Sequence, residues 1–333
     1  MMHLEVGRPM KGRMLECLRA FLRANGLDYD EGVQFTAVLM EDDQIAATAS
    51  LDGGTIKCVA VSPMHQGEGL TAPLMTAVRQ EAFDRGIDHL MLFTKPGNLM
   101  MFREFGFYPV IRTEDCLLME NRRSGLDDFL KGLERPSDDE GLIGCIVANC
   151  NPFTKGHRYL IETAASKCRW LHLFVLSEDK SFFSAKDRME LVKKGCADLK
   201  NVLIHPTGPY LVSSATFPSY FIKDKSRVGA IYCQLDVRLF AEKFVPALGI
   251  THRFVGTEPY SEVTNAYNEQ MKALLPKYGI ELVEIPRKEL EGDAVSASRV
   301  RVLLEKGDFE AIRPLVPETT FEYLSGKFRS DNI

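Results

Sequence analysis

The sequence predicts an α/β protein in two parts: an N-terminal α+β domain, then a domain built on a parallel sheet. Three observations carry this. The length of 333 residues suits two domains rather than one. A charged stretch with Gly and Pro, from Asn121 to Gly141, separates two differently patterned halves. Beyond it, short apolar runs alternate with amphipathic segments, the pattern of strands covered on both faces by helices. The expected division is 1–130 and 141–333.

In the first half the pattern reads as a helix near Met10–Asn25 and strands at Phe35–Met40, Ile45–Ser50 and Ile56–Val61. A glycine loop, a helix Thr71–Arg85, a strand His89–Thr94, a helix Asn98–Phe105 and a final strand pair follow. Inside the separating stretch, Leu126, Phe129, Leu130 and Leu133 share one helical face. In the second half, strands are expected at Leu142–Ala148, Trp170–Leu176, Asn201–His205, Arg227–Cys233, Thr251–Gly256 and Ile280–Pro286. Helices are expected at Gly156–Cys168, Ala185–Cys196, Ser214–Ile222, Asp236–Pro246 and Thr264–Leu275, with two or three more at the C-terminus. Open parallel sheets bind ligands beyond the carboxyl ends of their strands, where the strand order reverses.

Composition narrows the function classes. Hydrophobic residues make up 45% and charged residues 26%, with a net charge of −5. That balance offers no sequence-wide attraction for nucleic acid or an anionic membrane. No apolar run reaches the ~20 residues of a membrane span, and no signal-peptide core opens the chain. A cytoplasmic protein is expected. The eight cysteines form no C-x-x-C pair, so a zinc site is disfavoured and no protein metal site is expected.

The sharpest motif is Asn149–Ile161, NCNPFTKGHRYLI, where the first strand of the second half meets its helix. Asn151-Pro152 makes a turn, with Phe153 following it, and Gly156 permits close backbone approach. Thr154 and His157, three apart, can face one point at a helix N-terminus, where free N–H groups suit phosphate. The bland alternative is a Thr154 cap and an ordinary surface His157. A second motif, AVSASRVRVLL (Ala294–Leu304), opens a late helix. Ser296 and Ser298 can cap it, and Arg301 on its first turn can reach a phosphate or stand solvated. In the loop after the second strand, Lys180 and Arg188 are candidate phosphate partners or solvated charges. After the fifth strand, Gly256 and Thr257 could offer backbone groups to a nucleobase; Glu258 and Tyr260 are weaker candidates.

Taken as a pair, T-x-G-H and S-x-S-x-x-R resemble the HxGH nucleotidyltransferase superfamily, with Thr154 at the first histidine position. That resemblance implies a Rossmann-like nucleotidyltransferase domain. A basic residue is usual in the family's loop after the second strand, where Lys180 stands. In the first half, Val59–Met75 contains Gln66-Gly67-Glu68-Gly69, and Leu90–Val110 supplies the following strand and helix. Both resemble the GNAT acetyltransferase fold, whose loop amides hold the diphosphate of coenzyme A. Thr71 stands where that family has Gly or Ala, and Pro73 lies in the helix's first turn. Glu41, Asp42 and Tyr108 are unconvincing as a general base.

A GNAT-like domain ahead of a T-x-G-H domain resembles the citrate lyase ligase family across nearly the whole chain, through QGEGL, NPFTKGH, GTEPYSEVTNAYN and VSASRVR. The resemblance implies acid–thiol ligation. ATP and acetate would give acetyl-adenylate and pyrophosphate, with Mg²⁺ bridging the phosphates. The acetyl group would pass to the dephospho-CoA-derived thiol arm on the citrate lyase acyl carrier subunit, activating the lyase. Thr154, His157 and Lys180 would serve catalysis. Asn151, Phe153, Gly156, Arg188, Gly256, Thr257, Ser296, Ser298 and Arg301 would bind ATP, and Gln66, Gly67 and Gly69 the thiol arm. Alternatives are a nucleotidyltransferase acting on a small phosphorylated substrate, an acetyl-CoA-dependent acetyltransferase, and a docking module without activity.

Overall fold

The computed structural model describes residues 1–138, 141–213, 217–258, 262–290 and 293–328. The chain divides into two compact units: Met1–Asp128 with Phe217–Leu235, and Phe129–Thr216 with Asp236–Ile333. Residues 217–235, expected with the second domain, therefore pack with the first.

The first unit is a seven-stranded sheet. Its strands are β1 (His3–Gly7), β2 (Phe35–Glu41), β3 (Gln44–Asp52), β4 (Thr55–Val61), β5 (Met91–Thr94), β6 (Tyr108–Arg112) and β7 (Leu117–Glu120). They lie in the order β1-β2-β3-β4-β5-β7-β6. Every pairing is antiparallel except β4 with β5. Helices α1 (Gly12–Ala24), α2 (Thr71–Asp84) and α3 (Leu99–Glu104) accompany it. On α2, Leu74, Met75, Val78 and Ala82 recur at helical spacing and bury against Phe35, Ala37, Leu39, Ala47, Ala49 and Leu51 of β2 and β3. The sequence reading missed β1, whose exposed alternate residues mark it as an edge strand.

In the second unit, β8 (Ile143–Ala148), β9 (Trp170–Val175), β10 (Val202–Pro206), β11 (His252–Gly256) and β12 (Glu281–Ile285) form one parallel sheet. Its order is β10-β9-β8-β11-β12, which reverses between β8 and β11. Helices α4 (Gly125–Lys131) and α7 (Val228–Leu239) each begin in the first unit and end in the second; the others of the second unit are α5 (Lys155–Ala165), α6 (Ala185–Gly195), α8 (Val245–Leu248), α9 (Glu262–Leu274), α10 (Ala297–Glu305), α11 (Phe309–Ile312) and α12 (Glu318–Phe328). A short hairpin, β13 (Glu289–Leu290) and β14 (Asp293–Ala294), precedes α10.

One expected strand is a helix. Arg227–Cys233 lies almost wholly within α7, where Val228, Ile231, Tyr232, Leu235 and Leu239 recur at helical rather than alternating spacing. Five parallel strands result instead of six. The expected helix near Ser214–Ile222 falls partly outside the described residues; Phe217–Ile222 form no helix. Among the described residues no helix is long and apolar enough to cross a membrane.

Two histidines sit inside the second sheet. His172 on β9 and His205 on β10 are buried, with Nδ1 and Nε2 2.9 Å apart. Burial pushes both down to about 4 from the usual 6.5. They are neutral in the folded protein at pH 7, while in the unfolded chain they take up protons below about 6.5. The unfolded state thus binds more protons between these values, and stability falls as pH drops through that window. The thermal midpoint is expected to decrease from pH 7 to pH 4.5, and less steeply in His205→Phe. Equal slopes in the two proteins would remove the pair as the cause.

Candidate active site

The carboxyl ends of β8, β11 and β12 open into a cavity of about 810 Å³ at the strand-order reversal. Its walls come from residues of three stretches: Ala148, Asn149 and the α5 start with Tyr159 and Leu160; Gly256 with the face of α9; and Pro286–Lys288 with Ala294–Arg299. Thr154, Gly156 and His157 of the TKGH turn and Ser296–Arg299 of the second motif line it, whereas Asn151 and Arg301 do not.

These distant segments touch. Arg301 donates from Nη1 to the Asn151 carbonyl at 2.5 Å and from Nη2 to Ser298 Oγ at 3.1 Å. A Cβ on Gly156 would lie 2.7 Å from the Val295 carbonyl, so any side chain there would force the first turn of α5 away from the strand leading to α10. Ser296 caps α10 by accepting the Arg299 N–H at 3.2 Å. The residues of that helix start line the same cavity as the start of α5.

Thr154 caps α5 and holds His157. Its hydroxyl accepts the His157 N–H at 3.3 Å, and its own N–H donates to His157 Nδ1 at 3.1 Å. The hydroxyl also lies 2.9 Å from Nδ1. With Nδ1 accepting, the neutral ring carries its proton on Nε2. Burial, with the charge of Arg287 beside it, pushes His157 down to about 4, so the ring is neutral at pH 7. Thr154 is 1% exposed, and its hydroxyl is occupied in this cap. The cap and the histidine orientation are thus one device.

Other expected site residues take different places. Phe153 is fully buried in the core, where its ring fills the space a Gly195 side chain would need. It stacks at 6.0 Å on the His157 ring, backing it rather than lining the cavity. Arg188 is fully buried too. It donates to the Phe183 and Asn149 carbonyls at 3.1 and 3.0 Å, to Asn149 Oδ1 at 2.6 Å, and to the Glu178 carbonyl. It braces the loop after β9 instead of meeting a ligand. Asn151 Oδ1 accepts the Phe183 N–H at 3.0 Å, so this side chain also braces that loop. Lys180 is exposed and does not line the cavity. Gly256 lines it, but Thr257 instead holds Arg287, whose N–H and Nε reach Thr257 Oγ1 and O at 3.2 and 2.7 Å. Tyr260 lies outside the described residues.

Sequence reasoning missed Arg287, Lys288 and Arg299, which line the cavity. The adjacent basic pair directly after β12 was the available signal. Arg287 pairs with Glu258, the one carboxylate lining the cavity among its described residues. Lys288 lies over the Tyr159 ring at 5.8 Å. Asn268, 3% exposed, donates to the Gly256 carbonyl at 3.1 Å. The site is thus a cationic rim on an apolar floor. Among the described residues no cluster of three His, Cys, Asp or Glu could hold a metal ion.

The first unit has a slot of about 500 Å³. Gln66, Gly67 and Gly69 line its outer end. Gly67 and Gly69 have φ of 89° and 74°, values that exclude most side chains and turn the loop back on itself. Glu41, Asp42 and Tyr108 do not line it.

The buried network predicts the behaviour of Arg188→Ala. Four acceptor groups would lose a buried donor, so a stability loss of about 2 kcal/mol or more is expected. Denaturant unfolding of the variant checks this; a midpoint equal to wild type would contradict the bracing role.

Two family models match the chain. The citrate lyase ligase C-terminal domain matches residues 143–324, and the acetyltransferase (GNAT) family matches residues 10–107. The citrate (pro-3S)-lyase ligase of Klebsiella pneumoniae is 42% identical over 314 residues, covering 93% of this chain and 92% of that protein. The protein of the same name from Escherichia coli (strain K12) is 42% identical over 325 residues, covering 96% and 92%. Among solved structures, Escherichia coli ElaA gives a TM-score of 0.33 at 17% identity, covering 37% of this chain and 100% of that one. Thermotoga maritima TmcAL bound with alpha-thio ATP gives 0.36 at 16%, covering 57% and 56%. The GNAT-like first unit, the cavity-bearing parallel sheet and the identity along almost the full length make this chain a member of the citrate lyase ligase family.

Proposed function

We propose that the protein activates citrate lyase by ATP-dependent acetylation of the thiol arm on the lyase's acyl carrier subunit. The observation that carries the reading is the Arg301–Asn151 link, which brings two phosphate-suited helix starts onto one cavity. The relatives' name supports the substrate.

The chemistry has two steps. An acetate oxygen attacks the α-phosphorus of ATP, the bond from that phosphorus to the bridging oxygen breaks, and pyrophosphate leaves. The arm's sulfur then attacks the acetyl carbon, AMP leaves, and the thiol proton goes to solvent. Acetate is a weak nucleophile, so the first step depends on positioning and on stabilising charge at the α-phosphate. His157 suits this role as a neutral donor from Nε2, since Nδ1 is engaged with Thr154. The α10 amides, Ser296, Ser298 and Arg301 would hold the β- and γ-phosphates that depart together. Arg287, Lys288 and Arg299 add positive charge around the same cavity. With Glu258 already paired to Arg287, magnesium fits best as an ion carried on the nucleotide's phosphates, where it would neutralise their charge.

Lys180 remains a candidate for the α-phosphate only if its loop brings it inward. The slot of the first unit suits a coenzyme-derived arm: glycine-loop amides for the diphosphate, and strand edges for the amides of the chain. Gln66, Gly67 and Gly69 would make the first of these contacts.

Two substitutions test the reading. His157→Ala should lower acetate-dependent pyrophosphate release by about 10²–10³-fold, the usual loss for one preorganised donor; activity within a fewfold of wild type would dismiss His157. Arg301→Ala should weaken ATP binding at least tenfold, measured by calorimetry, and an unchanged Kd would take Arg301 out of the phosphate site.

A further inference from the structure

The slot of the first unit ends where two strands part. β4 and β5 pair at Thr55–Met91 and Ile56–Leu92 and then diverge. Backbone groups along a strand point alternately to its two neighbours. The Met91 N–H bonds the Gly54 carbonyl on the β4 side, whereas the Leu90 carbonyl takes the Asn121 N–H on the β7 side. The Phe93 carbonyl therefore faces the gap that the divergence opens.

Tyr220 fills that gap. Its hydroxyl donates to the Phe93 carbonyl at 3.2 Å and hydrogen-bonds the Cys58 backbone of β4. One side chain thus stands in for the missing strand pairing. The ring is 9% exposed and lines the slot together with Phe221. It cannot retreat. The Tyr220 carbonyl accepts the Asp28 N–H at 2.9 Å, and Phe217 stands edge-on to Phe93 at 5.7 Å. The same segment is pinned by Lys225–Asp28 at 2.5 Å and Arg227–Asp115 at 2.7 Å.

The slot therefore has a glycine loop at its mouth and a fixed phenol at its inner end. Along the way lie Val59, Ala60 and Val61, about 10 Å of strand edge at ~3.3 Å per residue. We propose that Tyr220 is an end stop that measures the length of the bound arm: the free thiol seats against its ring, and the acetylated arm, two carbons longer and bearing a carbonyl oxygen, does not. The first unit then takes up the unacetylated carrier and lets the acetylated one go. This rests on the reading of the slot as the arm's receptor. It also runs against an acetyl-CoA-dependent transferase, which must hold the thioester and admit an acceptor to it.

Calorimetry on the full chain, with coenzyme A and acetyl-coenzyme A as probes, tests the stop. Wild type should bind coenzyme A at least tenfold more tightly than acetyl-coenzyme A. Tyr220→Phe keeps the ring and should keep that ratio. Tyr220→Ala should bring the two affinities within about twofold. Tyr220→Leu, which shortens the side chain and leaves an apolar filler behind, should narrow the gap even where the alanine variant fails to fold. Equal affinities in wild type, or a ratio that persists in a folded Tyr220→Leu or Tyr220→Ala, would overturn the stop while leaving the receptor reading intact. No binding of coenzyme A to wild type would overturn both, and the pyrophosphate assay would still judge the ATP site by itself.

Discussion

The second unit depends on a close approach between two chain segments about 140 residues apart. Arg301 joins the Asn151 carbonyl to Ser298, and Gly156 lets the first turn of α5 reach the Val295 carbonyl. The first is a short polar contact, and in the second a β-carbon would not fit. Together they aim two helix N-termini at one volume. Each terminus carries free N–H groups and partial positive charge. In a protein with net charge −5, the positive potential is concentrated locally at this place rather than spread over the surface at large.

The histidine of the turn shows how folding and chemistry share the same bonds. Thr154 and His157 complete a reciprocal cap, satisfying helix donors that would otherwise be orphaned. The same cap fixes the ring, assigns its proton to Nε2, and spends the Thr hydroxyl. Phe153 behind the ring and Arg287 beside it then keep the imidazole neutral.

The first unit reuses a strand divergence in a different way. Parallel strands that separate expose unpaired backbone groups, and an unpaired carbonyl away from water is costly. Here the Phe93 carbonyl is satisfied by a phenol from residues 217–235, a segment inserted between β10 and β11 of the other sheet. The remaining strand edge stays open as a slot. A structural repair at one end thereby defines the depth available at the other.

Much was legible in sequence because it rests on local rules. Period-2 and period-3.6 patterns placed nearly every strand and helix, the glycines of QGEG marked a tight loop, and the Thr-x-x-His and Ser-x-x-Arg spacings marked two capped helix starts. Other features had no local signature. Phe153, Asn151 and Arg188 sit in or near a ligand motif, but their side chains turn into the core or the adjoining loop, a choice set by packing across the sheet. Arg287 and Lys288 reach the cavity only because β12 ends beside the strand-order reversal, a placement set by the sheet. Residues 227–233 read as a strand because a short apolar run is ambiguous between periods. Their apolar residues do recur at helical spacing, but their membership of the first unit is set by tertiary contacts such as Arg227 with Asp115, which no local pattern encodes.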